Sequence, residues 1–341
     1  GAGLTFARQD SKVVIASVAA DSPAQNAGLT PGAIVLKIDG RSVYPSEINN
    51  LDAEMQGIYG STTTLTLRDP ANPGAPAQIS LVRGFIPPNT VFLEPPPVPG
   101  TIAMRITNFN KGTSDQFSTA IAAAMSANPP PTGLVIDLRG DRGGVLRQAI
   151  LVADSLLPSG PIATASGRDP DADQAFTAEG SDLTGGIELI VLVDGQTASA
   201  AEILSAALAD NGRAVVIGSE TLGKGLVQTV TSLPDGGELF VTWSRVLAPR
   251  GWPLQTLGVM PQVCTSLGQS ALQSQLAALQ NGKNLMAPAL AQARAIRAPA
   301  SVNAILSVRG QCPADIGGDL DFTAAGFLLN NPEAYRAALL H

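Results

Sequence analysis

The sequence predicts an α/β protein, α+β overall, in which a parallel-rich sheet with helices lies between a β-rich N-terminal unit and a helical C-terminal segment. Short apolar runs alternate with helical patterns over residues 100–262, which favours parallel strands connected by helices. Six prolines among residues 87–99 indicate an extended, fairly stiff connector and a domain boundary. The chain of 341 residues is also longer than a typical domain, so two or three units are expected.

Residues 1–86 are predicted to form a small β-rich domain, because short β-branched runs alternate with turn residues. A short helix should begin after Ser22 as its cap and end at Gly28. Turn chemistry alone predicts a loop over residues 69–74. The remaining predicted elements are strands over 13–18, 33–38, 62–67 and 78–82, and a helix over 46–58.

Residues 100–262 carry the α/β pattern, and the Gly-rich turn at 140–144 connects one of its buried strands to a helix. The predicted strands cover 101–107, 133–139, 187–193, 214–218 and 238–245, and the predicted helices 113–126, 145–157 and 198–211. Residues 263–341 are rich in alanine, leucine and glutamine. Two or three helices are expected there, over about 270–280, 287–296 and 331–340, with a packing or subunit-contact role.

Charge and composition exclude several classes of function. The net charge of −7 argues against binding to nucleic acid or to anionic membranes, and no apolar stretch is long enough for a membrane span. With one histidine and two cysteines, no metal site or other cofactor is expected. The chain begins without the charged and apolar regions of an export signal, so either there is none or it was removed.

Ser199 and Lys224 are the pair with the most informative chemistry. A serine needs a base to take its proton, and histidine is the usual one. The only histidine is His341, the last residue, so a Ser-His-Asp hydrolase is close to excluded. A lysine can replace it if burial keeps the amine neutral. Lys224 lies between two glycines and beside apolar residues, a context that permits burial.

The N-terminal unit resembles a PDZ domain of the bacterial type. The resemblance rests on the run Gly1-Ala2-Gly3-Leu4-Thr5-Phe6, on Ser22 to Leu29, and on Pro31 to Gly40. It implies that a peptide with an apolar C-terminus binds as an added strand, with its carboxylate held by backbone N–H groups of Gly1, Ala2 and Gly3. The side-chain pocket would be lined by Leu4, Phe6, Ile48 and Leu51. For Ile48 and Leu51, a place in the core is an equal alternative.

Three ordered motifs follow in the α/β region: Asp137-Leu138-Arg139 before Gly143-Gly144, Ser199 with Glu202-Ile203, and Gly223-Lys224-Gly225 with Gln228. Together they resemble the C-terminal processing peptidases, also called tail-specific proteases, whose catalytic core is crotonase-like. The family usually has Asn where this chain has Asp141, and serines where it has Thr197 and Ala201.

The resemblance implies a role for each matching residue. Ser199 would be the nucleophile, Lys224 the general base, and Gln228 the residue that orients Lys224. The oxyanion hole would combine the N–H of Ala200 with an N–H of the Gly143-Gly144 turn. Of the other residues, Arg142 places a bulky charge beside that turn, Glu202 is expected on a helix surface or between subunits, Asp210 is expected to be structural, and Arg168 and Asp169 are expected in a loop.

The sequence therefore predicts a serine endopeptidase with a Ser-Lys dyad that cleaves proteins near the C-terminus, with the PDZ domain recognising or gating the substrate. One alternative is a catalytically silent peptide-binding scaffold on the same fold. Another is an acyl-CoA enzyme, against which the PDZ unit and the Ser-Lys spacing argue. Association into a homo-oligomer, or with an adaptor protein, is left open.

Cys264 and Cys312 are either two buried thiols or a disulfide that ties the C-terminal segment to the body, and we favour the disulfide. It would close a loop of 49 residues counting both cysteines. A disulfide requires an oxidising compartment, so the expected location is the periplasm or the exterior of a bacterium, with the signal sequence absent from this chain.

Overall fold

A computed structural model of the protein describes residues 1–19, 22–69 and 74–340. The chain divides into two compact units, Gly1–Pro88 and Asn89–His341. Most of the loop predicted at 69–74, and also His341, lie outside the described residues. No helix in the described part is long and apolar enough to cross a membrane.

The first unit is an antiparallel sheet with two short helices; the four strands that the sequence predicts are present, and β1 and β4 are additional. Its strands run in the order β1-β2-β3-β5-β6, with β4 paired to β3. The side chain of Ser22 accepts a hydrogen bond from the Gln25 N–H and so caps the first helix. The second helix is shorter than predicted, because Pro45–Glu47 forms a 3₁₀ turn before it. The elements are β1 (Leu4–Gln9), β2 (Lys12–Val18), α1 (Pro23–Asn26), β3 (Ile34–Ile38), β4 (Arg41–Ser42), α2 (Ile48–Glu54), β5 (Thr62–Arg68) and β6 (Ala77–Val82).

The second unit is built on a six-stranded sheet in the order β16-β13-β12-β9-β8-β7. Every neighbouring pair is parallel except β7 with β8, so the mixed α/β architecture with a parallel-rich sheet is confirmed. Its elements are β7 (Val91–Glu94), β8 (Ile102–Ile106), α3 (Thr113–Met125), β9 (Gly133–Asp137), α4 (Leu146–Asp154), β10 (Gly160–Gly167), β11 (Gln174–Ala178), β12 (Glu188–Val193), α5 (Ala200–Asp210), β13 (Val215–Gly218), β14 (Leu226–Ser232), β15 (Glu238–Leu247), β16 (Val263–Cys264), α6 (Gln269–Gln280), α7 (Ala287–Ala295), α8 (Val302–Arg309), α9 (Asp319–Leu329) and α10 (Pro332–Ala338).

The central strands are apolar throughout because helices cover both faces of this sheet. Alternate residues point to opposite faces: Leu134 and Ile136 face α3, α4 and α5, whereas Val135 faces α6, α9 and α10. Ile190 and Leu192 continue the second face on the neighbouring strand. The C-terminal helices are therefore part of the core of this unit.

A second sheet, in the order β11-β10-β15-β14, is antiparallel. The sequence predicted only β15 of its four strands. The β14–β15 hairpin exposes apolar side chains, among them Val230, Phe240 and Trp243.

Two predictions, the linker at 87–99 and the number of C-terminal helices, are wrong in part. The segment 87–99 is not a connector throughout, because β7 (Val91–Glu94) pairs with β8 in the main sheet. The chain divides at Pro88 rather than within a longer linker. The described residues 263–340 form five helices where two or three were expected, and α8 and α9 were not predicted. The structure joins Cys264 to Cys312 by a disulfide of 2.03 Å.

Candidate functional site

The predicted site lies on three loops that follow parallel neighbouring strands. The turn at 140–144 follows β9, Ser199 follows β12, and the loop 219–225 follows β13. The strands are adjacent in the order β13-β12-β9, so the serine loop lies between the other two. The carboxyl ends of parallel strands meet at one edge of a sheet, which is where open α/β sheets place their ligands.

Ser199 occupies a strained turn between β12 and α5. Its φ of 56° and ψ of −115° match the first central position of a type II′ turn, which glycine favours. A non-glycine residue in such a region costs on the order of 1–3 kcal/mol and persists only where its surroundings hold it. Two hydrogen bonds do so: the Ala198 N–H donates to the Asp141 carbonyl over 2.9 Å, and the Ser199 N–H donates to Glu202 Oε2 over 2.7 Å. The turn presents a half-buried serine at the start of a helix.

Glu202 is completely buried, so the expectation of a surface or intersubunit residue is wrong. Its Oε2 accepts hydrogen bonds from the backbone N–H groups of Ser199 and Lys224, over 2.7 and 2.8 Å. Its Oε1 accepts the Gly223 N–H over 2.7 Å and the Thr221 hydroxyl. Burial raises the pKa of Glu202 above its ordinary value, and the four donors oppose that rise. One carboxylate therefore connects the serine turn to the lysine loop.

The Lys224 loop is held by its backbone. A side chain at Gly223, which has φ of 86°, would lie 3.0 Å from the Thr256 carbonyl carbon. A side chain at Gly225 would lie 2.4 Å from the Gln255 nitrogen, so both flanking positions require glycine. The Lys224 side chain itself is exposed, and makes no hydrogen bond or ion pair with any described residue. The burial that the sequence permits is thus not seen in this conformation.

Gln228 lies on β14 opposite Thr242, with an exposed side chain. The glutamine that contacts the lysine loop in this structure is Gln255, whose Oε1 accepts the Gly225 N–H over 2.9 Å. Sequence reasoning did not single out Gln255, since nothing in its local pattern distinguishes it from a polar loop residue.

The predicted oxyanion turn packs directly against the serine turn. A side chain at Gly143 would lie 2.8 Å from both Ser199 Cβ and the Ala200 nitrogen. The Gly143 N–H is already used, because it donates to Asp141 Oδ1 over 2.7 Å. The N–H groups of Gly144 and Ala200 have no acceptor within the described ranges. These two N–H groups can donate hydrogen bonds to an oxygen on which negative charge develops.

Asp141, which stands where the resembling family usually has Asn, is fully buried. Its Oδ2 has no hydrogen-bond partner among the described residues. Burial raises the pKa of this carboxyl to about 7, and the bond from Gly143 and the charge of Arg105 oppose the rise. Arg142 does not crowd the turn, because its side chain is exposed and reaches Gln196 Oε1 at 3.3 Å.

Other charged residues form buried or partly buried ion pairs that stabilise the second unit. Arg139 forms ion pairs with Asp137 at 2.7 Å and Asp321 at 2.9 Å. The buried Asp210 pairs with Arg294 at 2.7 Å, which fits the structural role expected for it. Within the described ranges no group of three or more His, Cys, Asp or Glu side chains could hold a metal ion.

In the first unit, most of the residues predicted to bind a peptide are buried. The Ala2 N–H donates to the Met55 carbonyl over 2.9 Å, so it cannot also hold a carboxylate as predicted. Gly3 has φ of 83° and Gly1 is half-buried. The apolar candidates belong to the core of the unit: Leu4, Phe6 and Leu51 are buried, and Ile48 packs against them while half-exposed.

Comparison with known proteins assigns both regions. Residues 101–265 match the family model described as peptidase family S41, and residues 14–69 match a PDZ domain. The chain is 34% identical over 266 residues to the carboxy-terminal-processing protease of Bartonella bacilliformis, covering 77% of this chain and 60% of that protein. It is 31% identical to the carboxy-terminal processing protease CtpA of Bacillus subtilis, covering 78% of this chain and 56% of that protein. The chain thus spans somewhat more than half the length of these relatives.

Among solved structures, the photosystem II D1 C-terminal processing protease is 28% identical, with a TM-score of 0.45 over 76% of this chain and 70% of that one. A putative S41 protease from Bacteroides fragilis is 20% identical, with a TM-score of 0.40 over 76% of this chain and 74% of that one.

Proposed function

This chain belongs to peptidase family S41 and carries a PDZ domain before its S41 region, and we propose that it is a serine endopeptidase with a Ser-Lys dyad. One observation carries the proposal: the turn of Ser199 and the loop of Lys224 are fixed to the same buried carboxylate oxygen. The only histidine of the chain is His341, so the base for a serine nucleophile has to come from elsewhere.

In this proposal Ser199 Oγ attacks the scissile carbonyl and Lys224 takes its proton. The Lys224 side chain is exposed here and has four rotatable carbon–carbon bonds. The active conformer in this proposal therefore requires a change of rotamer that would bring the amine to Ser199. Gln228, four residues on, would orient the amine there. The oxyanion would accept hydrogen bonds from the N–H groups of Ala200 and Gly144, which have no acceptor among the described residues. Gly143, the residue before Gly144, packs against Ser199.

The substrates we propose are proteins or peptides with apolar C-termini. Exposed apolar side chains border the candidate dyad: Leu222 and Leu226 flank Lys224, and Val145 follows the oxyanion turn. They provide surface for apolar residues near the scissile bond. The PDZ domain would recognise or gate the C-terminus by strand addition. A periplasmic or extracellular location in a bacterium is part of the same proposal, supported by the disulfide.

A catalytically silent peptide-binding scaffold is the second candidate. The Lys224 side chain favours it, because it is exposed and has no hydrogen bond or ion pair with any described residue. The deciding experiment incubates an unfolded protein substrate with the wild-type chain and with Ser199→Ala, and follows cleavage on a gel. Cleavage by the wild type alone supports the peptidase. Equal absence of cleavage, with the substrate still bound by both chains, supports the scaffold.

A further inference from the structure

The C-terminal segment that begins at the end of α8 contacts two loops of the candidate site and Arg139, the residue before the third. We call residues 309–321 the C-terminal brace. It begins at Arg309, the last residue of α8, and ends at Asp321 in the first turn of α9. The Cys264–Cys312 disulfide attaches it to β16, which pairs with β13, the strand that leads into the lysine loop.

Contacts with the lysine loop come from Arg309 and Asp315. Arg309 Nη2 donates to the Thr221 carbonyl over 3.0 Å, while its Nη1 donates to the Leu257 carbonyl over 2.8 Å. The Ser219 hydroxyl donates to the Asp315 carbonyl over 2.9 Å and lies 3.0 Å from the Asp315 nitrogen. The brace therefore holds this loop on both sides of Glu220.

Contacts with the serine loop lie a few residues before Ser199. The Gly195 N–H donates to the Asp315 carbonyl over 2.8 Å. A side chain at Gly195 would lie 3.0 Å from Ala314 Cβ, so the approach is close. The third loop is reached through Arg139, whose Nη1 donates to the Gly318 carbonyl over 2.9 Å.

A continuous path of hydrogen bonds leads from Arg309 to the candidate dyad. Arg309 holds the Thr221 carbonyl, and the Thr221 hydroxyl donates to Glu202. Glu202 in turn accepts the backbone N–H groups of Ser199 and Lys224. A displacement of about 1 Å at a reacting group can reduce a rate by about a hundredfold, so small movements along this path would be measurable.

We propose that the C-terminal brace is a positioning element for the active site, and that Arg309 is the residue through which it fixes the lysine loop. The inference rests on the proposed peptidase function, because it assumes that Ser199 and Lys224 react together. It assigns a part in catalysis to a segment that lies beyond residues 101–265, which match the family.

Glu220 offers a competing explanation for Arg309. This carboxyl is fully buried, both of its oxygens lack a hydrogen-bond partner among the described residues, and Arg309 Nη1 lies 3.8 Å from Oε1. Burial raises the pKa of Glu220 to about 8, and the charge of Arg309 opposes that rise. Arg309 could therefore serve only to compensate a buried charge, and the experiment has to separate the two roles.

The experiment compares Arg309→Lys and Arg309→Met with the wild type on a short peptide, measuring kcat, KM and the unfolding temperature. Lysine keeps the charge but loses the planar guanidinium group that donates to three carbonyls, of Thr221, Thr256 and Leu257. We expect kcat to fall at least about tenfold in both variants, with KM changed less than about twofold. Arg297→Lys is the matched control, because Arg297 also donates to backbone carbonyls, of Arg294 and Arg250, away from the site. It should keep the wild-type kcat.

The double variant Arg309→Met/Glu220→Gln removes the buried charge together with its partner. If Arg309 positions the loop, the double variant stays as slow as Arg309→Met. Recovery of kcat in the double variant overturns the proposal, and so does wild-type kcat in Arg309→Lys. A fall in kcat that only follows loss of folded protein overturns it as well. If wild type and Ser199→Ala are equally inactive, the proposed function fails and takes the inference with it.

Discussion

Ser199 and Lys224 donate their backbone N–H groups to the same oxygen, Oε2 of Glu202, over 2.7 and 2.8 Å. Their two nitrogens therefore lie no farther apart than the sum of these distances. The arrangement fixes the main chains of both residues while leaving the lysine side chain free to move. In the proposed peptidase, it would separate the positioning of the two residues from the transfer of a proton between their side chains.

Glu202→Gln should reduce kcat at least about tenfold. An amide has only one acceptor oxygen, so its NH₂ group would face two of the four present donors. Labelling of Ser199 by a small serine-reactive probe should slow in parallel. Glu188→Gln is the matched control, since Glu188 is a half-buried carboxyl at the start of β12, the end of the strand away from the Ser199 turn. Equal labelling rates in the two variants would remove Glu202 from the positioning of the dyad.

Lys224→Arg should be inactive at every pH at which the protein is folded. A guanidinium group cannot lose its proton in a protein, so conserving the charge does not conserve the base. In the wild type, peptide cleavage should decline as the pH is lowered toward about 5, where even buried lysines are protonated. Lys111→Arg, an exposed lysine elsewhere in the same unit, should keep full activity. A wild-type profile that stays flat down to that pH would contradict a lysine base.

Asp141→Asn should stabilise the protein at about pH 8 by roughly 1–3 kcal/mol, and much less at about pH 4. The folded-state pKa of about 7 lies above the ordinary value of 3.8, so the folded protein binds the proton more tightly. The wild type therefore loses stability as the pH rises from about 4 to about 7, whereas the amide has no proton to lose. The amide oxygen can still accept the Gly143 N–H. Urea unfolding at both pH values tests this, and an equal difference at both would refute it.

Residues 89–341 without the PDZ domain should still react with a small serine-reactive probe, but should select different substrates. Ser199, Lys224 and the oxyanion turn all lie within the second unit, which has its own core. The expected readout is a changed ratio of cleavage rates between peptides with a free and an amidated C-terminus. Complete loss of labelling in a truncated chain with native circular dichroism would mean that the PDZ domain completes the site.

The Cys264–Cys312 disulfide should leave no free thiol in denatured, non-reduced protein that was purified from an oxidising compartment. On the chain-entropy model, closing this loop contributes roughly 4 kcal/mol. The Cys264→Ser/Cys312→Ser variant should therefore unfold at lower urea concentration. Two titratable thiols per chain would contradict the bond, and the periplasmic or extracellular location would then lose its structural support.

The central strands could be predicted because each is a short apolar run buried on both faces. The β10 strand (Gly160–Gly167) was missed because its sequence mixes glycine, proline, serine and alanine, which have little preference for strands. Its conformation depends on pairing with β11 and β15. The β14 strand was missed for a different reason: it lies at the edge of its sheet and is exposed along most of its length, so it lacks the apolar run that marks a buried strand.

The candidate nucleophile and base were found because they belong to ordered motifs. The role of Glu202 was predicted wrongly, as a surface or intersubunit residue, although the spacing from Ser199 to Glu202 is that of a capping box, in which the acidic side chain turns back to the cap N–H. That signal was present in the sequence. Arg309 had no comparable signal, because its contact with Thr221 spans 88 positions and no local pattern encodes it.

The backbone conformation of Ser199, with φ of 56°, means that this protein would fold more stably without the serine side chain that we propose as the nucleophile. Glycine adopts such a conformation without the steric cost that a side chain brings, so Ser199→Gly should raise the free energy of unfolding by about 1 kcal/mol, while Ser199→Ala should not. The inactive glycine variant would then be the more durable protein. Stability and reactivity are opposed at this single position, which makes alanine the better replacement whenever an inactive control has to resemble the wild type in everything but chemistry.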